Sequence, residues 1–181
     1  NVSGDTRYSA EQVIEAAQLE IGDNLWLSTS SKLTANASVA LPYVKEIRVS
    51  RSIPSEITLE VIETTPKYSV KTDNKYTYID ESGKVLETQA EKKGKTILLK
   101  GIEFEAFVPG TTAGAVSEEN YKLAMEIVSY ADKKDVKLTA VDVTDINLIT
   151  AIYNSRIRLE FGSGADLEAK VKMAGEIIRK L

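Results

Sequence analysis

Few residues in this chain of 181 could carry out catalysis. The sequence has no histidine and no cysteine, which excludes an imidazole base, a thiolate nucleophile and the zinc sites built from those ligands. Asp142 and Asp145, at the end of a predicted strand, are the best pair of carboxylates for acid–base hydrolysis. Because 27 scattered acidic residues produce such pairs by chance, we interpret these two as solvated strand-end residues and predict no catalytic residue.

A glycine-containing segment starts as a phosphate loop does. Residues 162–164 read Gly-Ser-Gly between a predicted strand and a predicted helix, the arrangement in which backbone amides bind phosphate. The third glycine of the dinucleotide pattern is replaced by Leu167, and Asp166 would repel an anion. We therefore interpret the segment as a tight turn, and we predict no cofactor and no metal site.

Composition and charge describe a globular protein that does not bind nucleic acid. Hydrophobic residues make up 43% and charged residues 28% of the chain, a balance that excludes disorder. The net charge is −4, with 5 basic and 9 acidic residues in the first 66 positions and 18 of each afterwards. Such a balance argues against nucleic-acid binding, which basic surfaces drive. No apolar run reaches the ~18 residues that a membrane helix needs.

The elements that must position any functional residue begin with two helices. Ser9 and Gln12 fit a capping box at the start of the first helix, which we expect to continue to Gly22. Ser30 or Ser31 is expected to cap a second helix, which should end where a proline interrupts the pattern.

The period then changes from that of a helix to that of a strand. Apolar and polar residues alternate over 45–50 and again over 56–61, on either side of a corner at 53–55, which predicts an antiparallel hairpin. With a strand remnant near Val2, residues 1–66 are predicted to form a β-α-α-β-β domain.

The remaining residues, 67–181, are predicted to form a second, mixed α/β domain. Strand patterns recur in it, followed by a helix capped by Ser117 and a final amphipathic helix capped by Asp166. Predicted strands lie at 67–70, 76–79, 84–86, 96–99, 139–143, 148–153 and 156–161. The expected fold class is α+β, with an antiparallel-rich sheet and two helices in the second domain.

The order of these motifs resembles the FtsQ/DivIB family of bacterial cell-division proteins. The motifs of the first domain that carry the resemblance to its POTRA domain are Tyr8 to Val13, Gly22 to Trp26, Leu41 to Val44, Arg48 to Pro54, Ile57 to Glu63 and Pro66. Tyr78 to Leu86, Ile157 to Gly162 and Leu167 to Lys170 are similar to elements of the family's β domain. Together they cover nearly the whole chain.

The resemblance implies a bitopic protein that is not an enzyme. A membrane helix would precede residue 1, and this region would lie on the extracytoplasmic side of the cell membrane at the division septum. There it would be a divisome scaffold that binds FtsL and FtsB/DivIC-type partners and helps regulate septal peptidoglycan synthesis, with peptidoglycan as a further candidate partner. Cofactors are not implied.

The family's partner adds a strand to the last strands of the β domain, and we expect this chain to stop before them. The candidate partner-binding residues are therefore those that flank the edge. They are Arg156, Arg158 and Glu160 on the last predicted strand, with Lys172 and Arg179 on the last helix. Two alternatives stay open at this point: a POTRA-type module that binds polypeptides in secretion or assembly, and a cell-wall-binding or carboxylate-dependent wall-degrading domain.

Overall fold

The computed structural model describes residues 1–20, 29–52 and 56–180, and these form an α+β structure, which confirms the predicted fold class. The helices are α1 (Ala10–Ala16), α2 (Ser30–Ala40), α3 (Glu118–Lys133) and α4 (Leu167–Ile178). The strands are β1 (Val2–Ser3), β2 (Val44–Ser52), β3 (Glu56–Glu63), β4 (Tyr68–Thr72), β5 (Lys75–Ile79), β6 (Val85–Gln89), β7 (Ile97–Lys100), β8 (Leu138–Asp142), β9 (Ile149–Tyr153) and β10 (Ile157–Gly162).

The chain folds as two compact units. The first consists of Asn1–Pro66, Asp80–Glu87 and Val108–Thr112, and the second consists of Lys67–Ile79, Thr88–Phe107 and Ala113–Leu181. The domain boundary after residue 66 stays a prediction.

A three-stranded sheet covered by α1 and α2 forms most of the first unit. Its strand order is β1-β3-β2, with β1 parallel and β2 antiparallel to β3. The alternation of β2 and β3 turns one face of the sheet towards the helices, as predicted. The fully buried core residues on that side are Val13, Ala17, Leu33, Ala37, Val44, Ile47, Leu59 and Val61.

Helix α1 starts as predicted and ends earlier than predicted. The Ser9 hydroxyl accepts a hydrogen bond from the Gln12 amide, and the Gln12 side chain accepts one from the Ser9 amide, so the capping box is confirmed. The helix ends at Ala16 because Gln18 takes a left-handed conformation (φ 56°) and the amides of Gln18 and Leu19 bond back to the last turn. The predicted continuation beyond this turn is wrong, and Gly22 lies outside the described residues.

Helix α2 has a different cap from the one predicted. Thr29 has an extended backbone, and its hydroxyl accepts a hydrogen bond from the Lys32 amide at 3.3 Å. Ser30, one of the two predicted caps, is already in the first helical turn, where its hydroxyl is available to other partners. The predicted hairpin is confirmed by the antiparallel pairing of β2 with β3, whereas its corner at residues 53–55 lies outside the described residues.

Glu63 on β3 forms hydrogen bonds with the segment between β1 and α1. Its carboxylate accepts hydrogen bonds from the Thr6 hydroxyl at 2.7 Å, the Arg7 amide at 2.7 Å and Arg7 Nε at 3.0 Å. Burial alone would raise the pKa of Glu63, but these hydrogen bonds and the charge of Arg7 outweigh it and lower the pKa. The Arg7 guanidinium also stacks on the Tyr43 ring, 3.3 Å from its centroid. Burial, with the neighbouring Glu87, raises the pKa of Tyr43 to about 12.

The second sheet has seven strands in the order β10-β9-β8-β7-β4-β5-β6. The pairs β4–β7 and β7–β8 are parallel, and the pairs β4–β5, β8–β9 and β9–β10 are antiparallel. Strand β10 is therefore one terminal strand of this sheet. That position determines which backbone groups remain open to a partner.

Helices α3 and α4 pack against each other and against β8 and β10. Ser117 caps α3 as predicted, since its hydroxyl accepts from the Asn120 amide. Asp166 stands at the N-cap of α4, but its backbone is left-handed (φ 54°) and its side chain makes no capping bond, so the predicted side-chain cap is wrong. The core here combines both helices with the sheet, and its most buried members include Ile127, Val128, Val141, Ile149 and Val171. None of the described helices has the length and apolar character needed to cross a membrane.

Candidate partner-docking site

Among the described residues, no strand lies beside one of the two sides of β10. It pairs with β9 in an antiparallel ladder that ends in an irregularity between Glu160 and Gly162. Its side chains alternate, with Ile157, Leu159 and Phe161 directed towards α4. In the part of the chain that the structure describes, no side chain accepts a hydrogen bond from a β10 backbone amide. The backbone of this edge is thus available for pairing.

An apolar groove runs along this edge between β10 and α4. Its volume is about 290 Å³. On the helix side it is bounded by Met173 and Ile177, whose side chains are 63% and 56% exposed. Its remaining lining comes from the β10 residues together with Lys170, Ala174 and Ile178. An extended segment beside β10 would find backbone groups on one flank and apolar side chains of α4 on the other.

Two of the predicted partner-binding residues lie on β10 and bind each other. Arg158 Nε is 3.2 Å from Glu160 Oε1, and both side chains are 62% exposed. Both residues also belong to the lining of the groove. Exposed ion pairs of this kind contribute little to stability, so the pair is free to exchange its partners when a charged segment binds.

The other three predicted residues are not brought together at one point. Arg156 is exposed in the turn between β9 and β10, and Lys172 is exposed on α4. Arg179 caps the C-terminal end of α4, where its Nε donates to the Gly175 carbonyl at 3.1 Å. None of the three lines the groove, and their role in partner binding stays a prediction.

Sequence reasoning missed the apolar residues of the groove. The prediction for this region was an amphipathic helix, and it did not single out Met173 or Ile177. A signal was present: an amphipathic helix with a single buried face needs no second apolar pair four residues apart. The additional apolar pair, Met173 and Ile177, indicates a second apolar surface on the helix.

Asp142 and Asp145 are arranged as turn residues. Asp142 accepts hydrogen bonds from the Thr144 hydroxyl and amide at 2.7 and 3.1 Å, and Asp145 accepts one from the Asn147 amide at 2.9 Å. Burial alone would raise the pKa of Asp142, but the Thr144 hydrogen bonds and the charges of Lys100 and Arg158 outweigh it and lower the pKa. A carboxylate with a lowered pKa is ionised at neutral pH and is a poor general acid.

The glycine segment after β10 forms a turn, in agreement with its interpretation. Gly162 is left-handed (φ 66°), and Lys170 Nζ donates to the Ser163 carbonyl at 3.0 Å. The left-handed Asp166 then starts α4. Across residues 1–20, 29–52 and 56–180, no group of three or more acidic side chains is placed to hold a metal ion.

Comparison with known proteins finds similarity to one family. A model of the FtsQ-type POTRA domain matches residues 1–64. Curated proteins named cell division protein DivIB or FtsQ match most of the chain. Over most of its length the chain is similar to proteins of the FtsQ/DivIB family. The predicted resemblance is therefore confirmed, and the first unit contains an FtsQ-type POTRA domain.

The similarity extends beyond the POTRA domain. Cell division protein DivIB of Clostridium botulinum (strain Hall) is 25% identical over 182 residues, which cover 99% of this chain and 70% of that protein. DivIB of Clostridium tetani is 24% identical over 171 residues, covering 93% of this chain and 64% of that protein. FtsQ of Corynebacterium glutamicum is 36% identical over 83 residues, covering 46% of this chain and 37% of that protein. The groove thus lies in a region over which the chain is similar to the DivIB proteins.

Proposed function

We propose that this protein is a non-catalytic scaffold of the division machinery. In this proposal a membrane helix precedes residue 1, the two units lie on the extracytoplasmic side at the septum, and they bind FtsL and FtsB/DivIC-type proteins. By holding these partners the scaffold helps regulate septal peptidoglycan synthesis. Similarity to the FtsQ/DivIB family supports this role in division, and the groove beside β10 supports the mode of binding.

The observation that carries the proposal is the edge of β10, beside which no described strand lies. In strand addition, backbone hydrogen bonds supply affinity and alternate side chains supply specificity. The β10 end of the sheet offers both, because its terminal strand has an unpaired side and α4 places Met173 and Ile177 next to it. A partner segment with apolar residues at every second position would bury them in the groove.

The rim of the groove selects the charges of such a segment. Arg158 and Lys170 supply positive charge and Glu160 supplies negative charge. A partner that alternates apolar residues with charges of the opposite signs would replace the exposed Arg158–Glu160 pair by contacts across the interface. These charges are expected to affect the association rate and specificity more than the affinity.

Calorimetric titration of partner segments tests the proposal. The extracytoplasmic parts of the FtsB/DivIC-type and FtsL-type proteins are titrated into this chain and into a version continued beyond Leu181. Binding to either version supports the scaffold. Binding to the continued version alone places the added strand beside residues that follow Leu181. An absence of binding by both versions would overturn the proposal.

A second candidate, cell-wall binding, is favoured by a basic groove in the second unit. Lys92, Lys95 and Lys137 line a cavity of about 690 Å³ at the start of β7 and β8. Among the described residues none of these three lysines forms an ion pair, whereas Asp132 on the same wall is paired with Lys67 at 2.9 Å. Asp135 is the other acidic residue of the lining. The three lysines outnumber it, so the groove presents a surplus of positive charge to an anionic wall polymer.

Sedimentation with purified peptidoglycan tests this second candidate. The variant in which Lys92, Lys95 and Lys137 are changed to Gln should lose binding, while Lys75→Gln, which removes one lysine elsewhere in the same unit, should not. Equal sedimentation of both variants with the wild type would remove the basic groove as a wall-binding site.

A further inference from the structure

The first unit has an edge strand of its own, and two of its outward amides are already occupied. Among the described strands, β2 pairs with β3 and with no other. The Ile47 amide donates to the Thr34 hydroxyl at 2.8 Å, and the Val49 amide donates to the Ser30 hydroxyl at 3.1 Å. Alternate amides of an antiparallel strand point to the same side. These two amides therefore lie on the side away from β3, where a further strand would have to bind.

The spacing of the two hydroxyls matches that of the two amides. Residues 30 and 34 are four positions apart in α2, a rise of about 6 Å at ~1.5 Å per residue. Residues 47 and 49 are two positions apart in β2, about 6.8 Å at ~3.4 Å per residue. The pairs also run in opposite directions, so a helix antiparallel to the strand can satisfy both amides at once. One turn of α2 thus supplies the two acceptors that a further strand would otherwise supply to these amides.

The docking of α2 keeps these hydroxyls in place. Leu33 and Ala37 are fully buried in the core on the same side of the helix, together with Ile47. Ser38, one turn beyond Thr34, behaves differently, since its hydroxyl donates to the Ala35 carbonyl within the helix itself. Only the first two hydroxyls of the series therefore act on the edge of β2.

We propose that Ser30 and Thr34 close the β2 edge of the POTRA sheet to strand addition and thereby direct an incoming strand to the β10 end of the second sheet. The closure itself does not depend on the proposed function, whereas the choice of β10 rests on it. An incoming strand at β2 must first displace two hydroxyl–amide hydrogen bonds. At the typical strength of such bonds, each one shifts the equilibrium between the closed and the open edge about fivefold towards the closed edge.

Amide hydrogen exchange measured by NMR tests the closure directly. Thr34→Val removes one hydroxyl with little change of shape, and exchange at the Ile47 amide should become about fivefold faster. Ser30→Ala should do the same at the Val49 amide. Thr34→Ser keeps a hydroxyl and should restore slow exchange, which a purely structural effect of the substitution would not do. Ser38→Ala is the matched control and should leave both amides unchanged.

A strand probe tests the consequence. The probe is a synthetic peptide with the sequence of residues 56–63, which pairs with β2 inside the protein. Wild-type protein should not bind it, whereas the double variant S30A/T34V should bind it, with chemical-shift changes centred on residues 47–49. If the double variant fails to fold, the single variants are used with the same probe.

Three outcomes would overturn the proposal: unchanged exchange in the variants, binding of the peptide by the wild type as tightly as by the variants, or no binding by any folded variant. The exchange measurement contains no division partner. The closure can therefore fail while partner binding at β10 stands, and partner binding can fail while the closure stands.

Discussion

The edges at β2 and β10 have the same backbone chemistry and different neighbours. At β2, helix α2 offers the Ser30 and Thr34 hydroxyls to the outward amides. At β10, helix α4 offers the side chains of Met173 and Ile177 and no hydroxyl. Unpaired strand edges promote association unless they are covered or charged. The comparison indicates that the adjacent helix decides whether an edge is closed or receptive.

The difference also bears on the alternative of a polypeptide-binding POTRA module. A module of that kind needs a receptive edge or groove, and the edge at β2 is occupied where α2 runs beside it. The apolar pair on α4 has no polar group that would compete with an incoming backbone. Strand addition is therefore more favourable at the second sheet.

The largest effect is expected where closure depends on the packing of α2. Leu33→Ala removes a side chain that is 1% exposed and should lower the free energy of unfolding by about 2–5 kcal/mol. Because α2 carries the hydroxyls, exchange at the Ile47 and Val49 amides should rise as well, while amides of β10 keep their rates. Urea unfolding and NMR exchange measure the two effects.

The control for that prediction is Val39→Ala on the same helix. Val39 is 59% exposed, so its truncation should change the stability by less than about 0.5 kcal/mol. A Leu33→Ala protein that loses stability and keeps slow exchange at both amides would show that closure does not depend on the docking of α2.

The next largest effect concerns the receptive edge. Met173→Glu with Ile177→Glu places two charges where apolar side chains of a partner would be buried. Each buried apolar side chain is worth about 1.5–3 kcal/mol, so calorimetry should show at least about a tenfold weaker affinity for the partner segment.

Both of these side chains are exposed, so the stability of the variant should stay near that of the wild type. Val116→Glu, at a position that is 60% exposed in the same unit, is the matched control and should bind normally. Equal weakening by the control would indicate a general effect of charge and remove the groove from the interaction.

Low pH should affect the contribution of Glu63 to stability and the hydrogen bonds at β2 differently. The pKa of Glu63 is lower in the folded protein than its ordinary 4.5, so the folded state is favoured above that pH and this stabilisation is lost as the pH falls through the folded pKa. Glu63→Gln should cost about 1 kcal/mol at pH 7 and flatten the acid dependence. Urea unfolding between pH 7 and 3 measures it.

The hydroxyl–amide bonds at β2 carry no ionisable group. Within the pH range where the protein stays folded, the ratio of the observed to the intrinsic exchange rate at Ile47 and Val49 should therefore follow global stability in both proteins. Selective loss of protection at these two amides in acid would show that ionisable groups contribute to the closure of the β2 edge.

The smallest effect is expected at the Arg158–Glu160 pair. Both side chains are 62% exposed, so Arg158→Ala should change the stability by less than about 0.5 kcal/mol. Its effect on partner binding should be a few-fold reduction of the association rate at low salt that disappears at high salt. Surface plasmon resonance at two salt concentrations measures it, and a salt-independent loss would point to a buried contact instead.

Much of the fold could be predicted because its signals are local. The capping box at Ser9 and Gln12, the change from helical to strand period after α2, and the cap at Ser117 each depend on neighbouring residues and are confirmed. The end of α1 was not predictable in this way. Gln18 takes the left-handed position that glycine usually occupies.

The features of the two edges depend on contacts between distant residues. Ser30 or Ser31 was expected to cap α2, and the Ser30 hydroxyl instead accepts a hydrogen bond from the amide of Val49, 19 positions away. Alternation along β10 correctly indicated that Arg158 and Glu160 are exposed. It contained no information about Met173 and Ile177, which form the groove because α4 docks beside the edge.

The parallel pairing of β1 with β3 has a consequence for the order of synthesis. Val2 pairs with Leu59, and Ser3 pairs with Glu60. A ribosome that starts at the N-terminal end must therefore deliver about sixty residues before β1 finds its neighbour, whereas α1 and α2 can form earlier from local contacts. Until then β1 is an unpaired strand, and its pairing with β3 completes the three-stranded sheet.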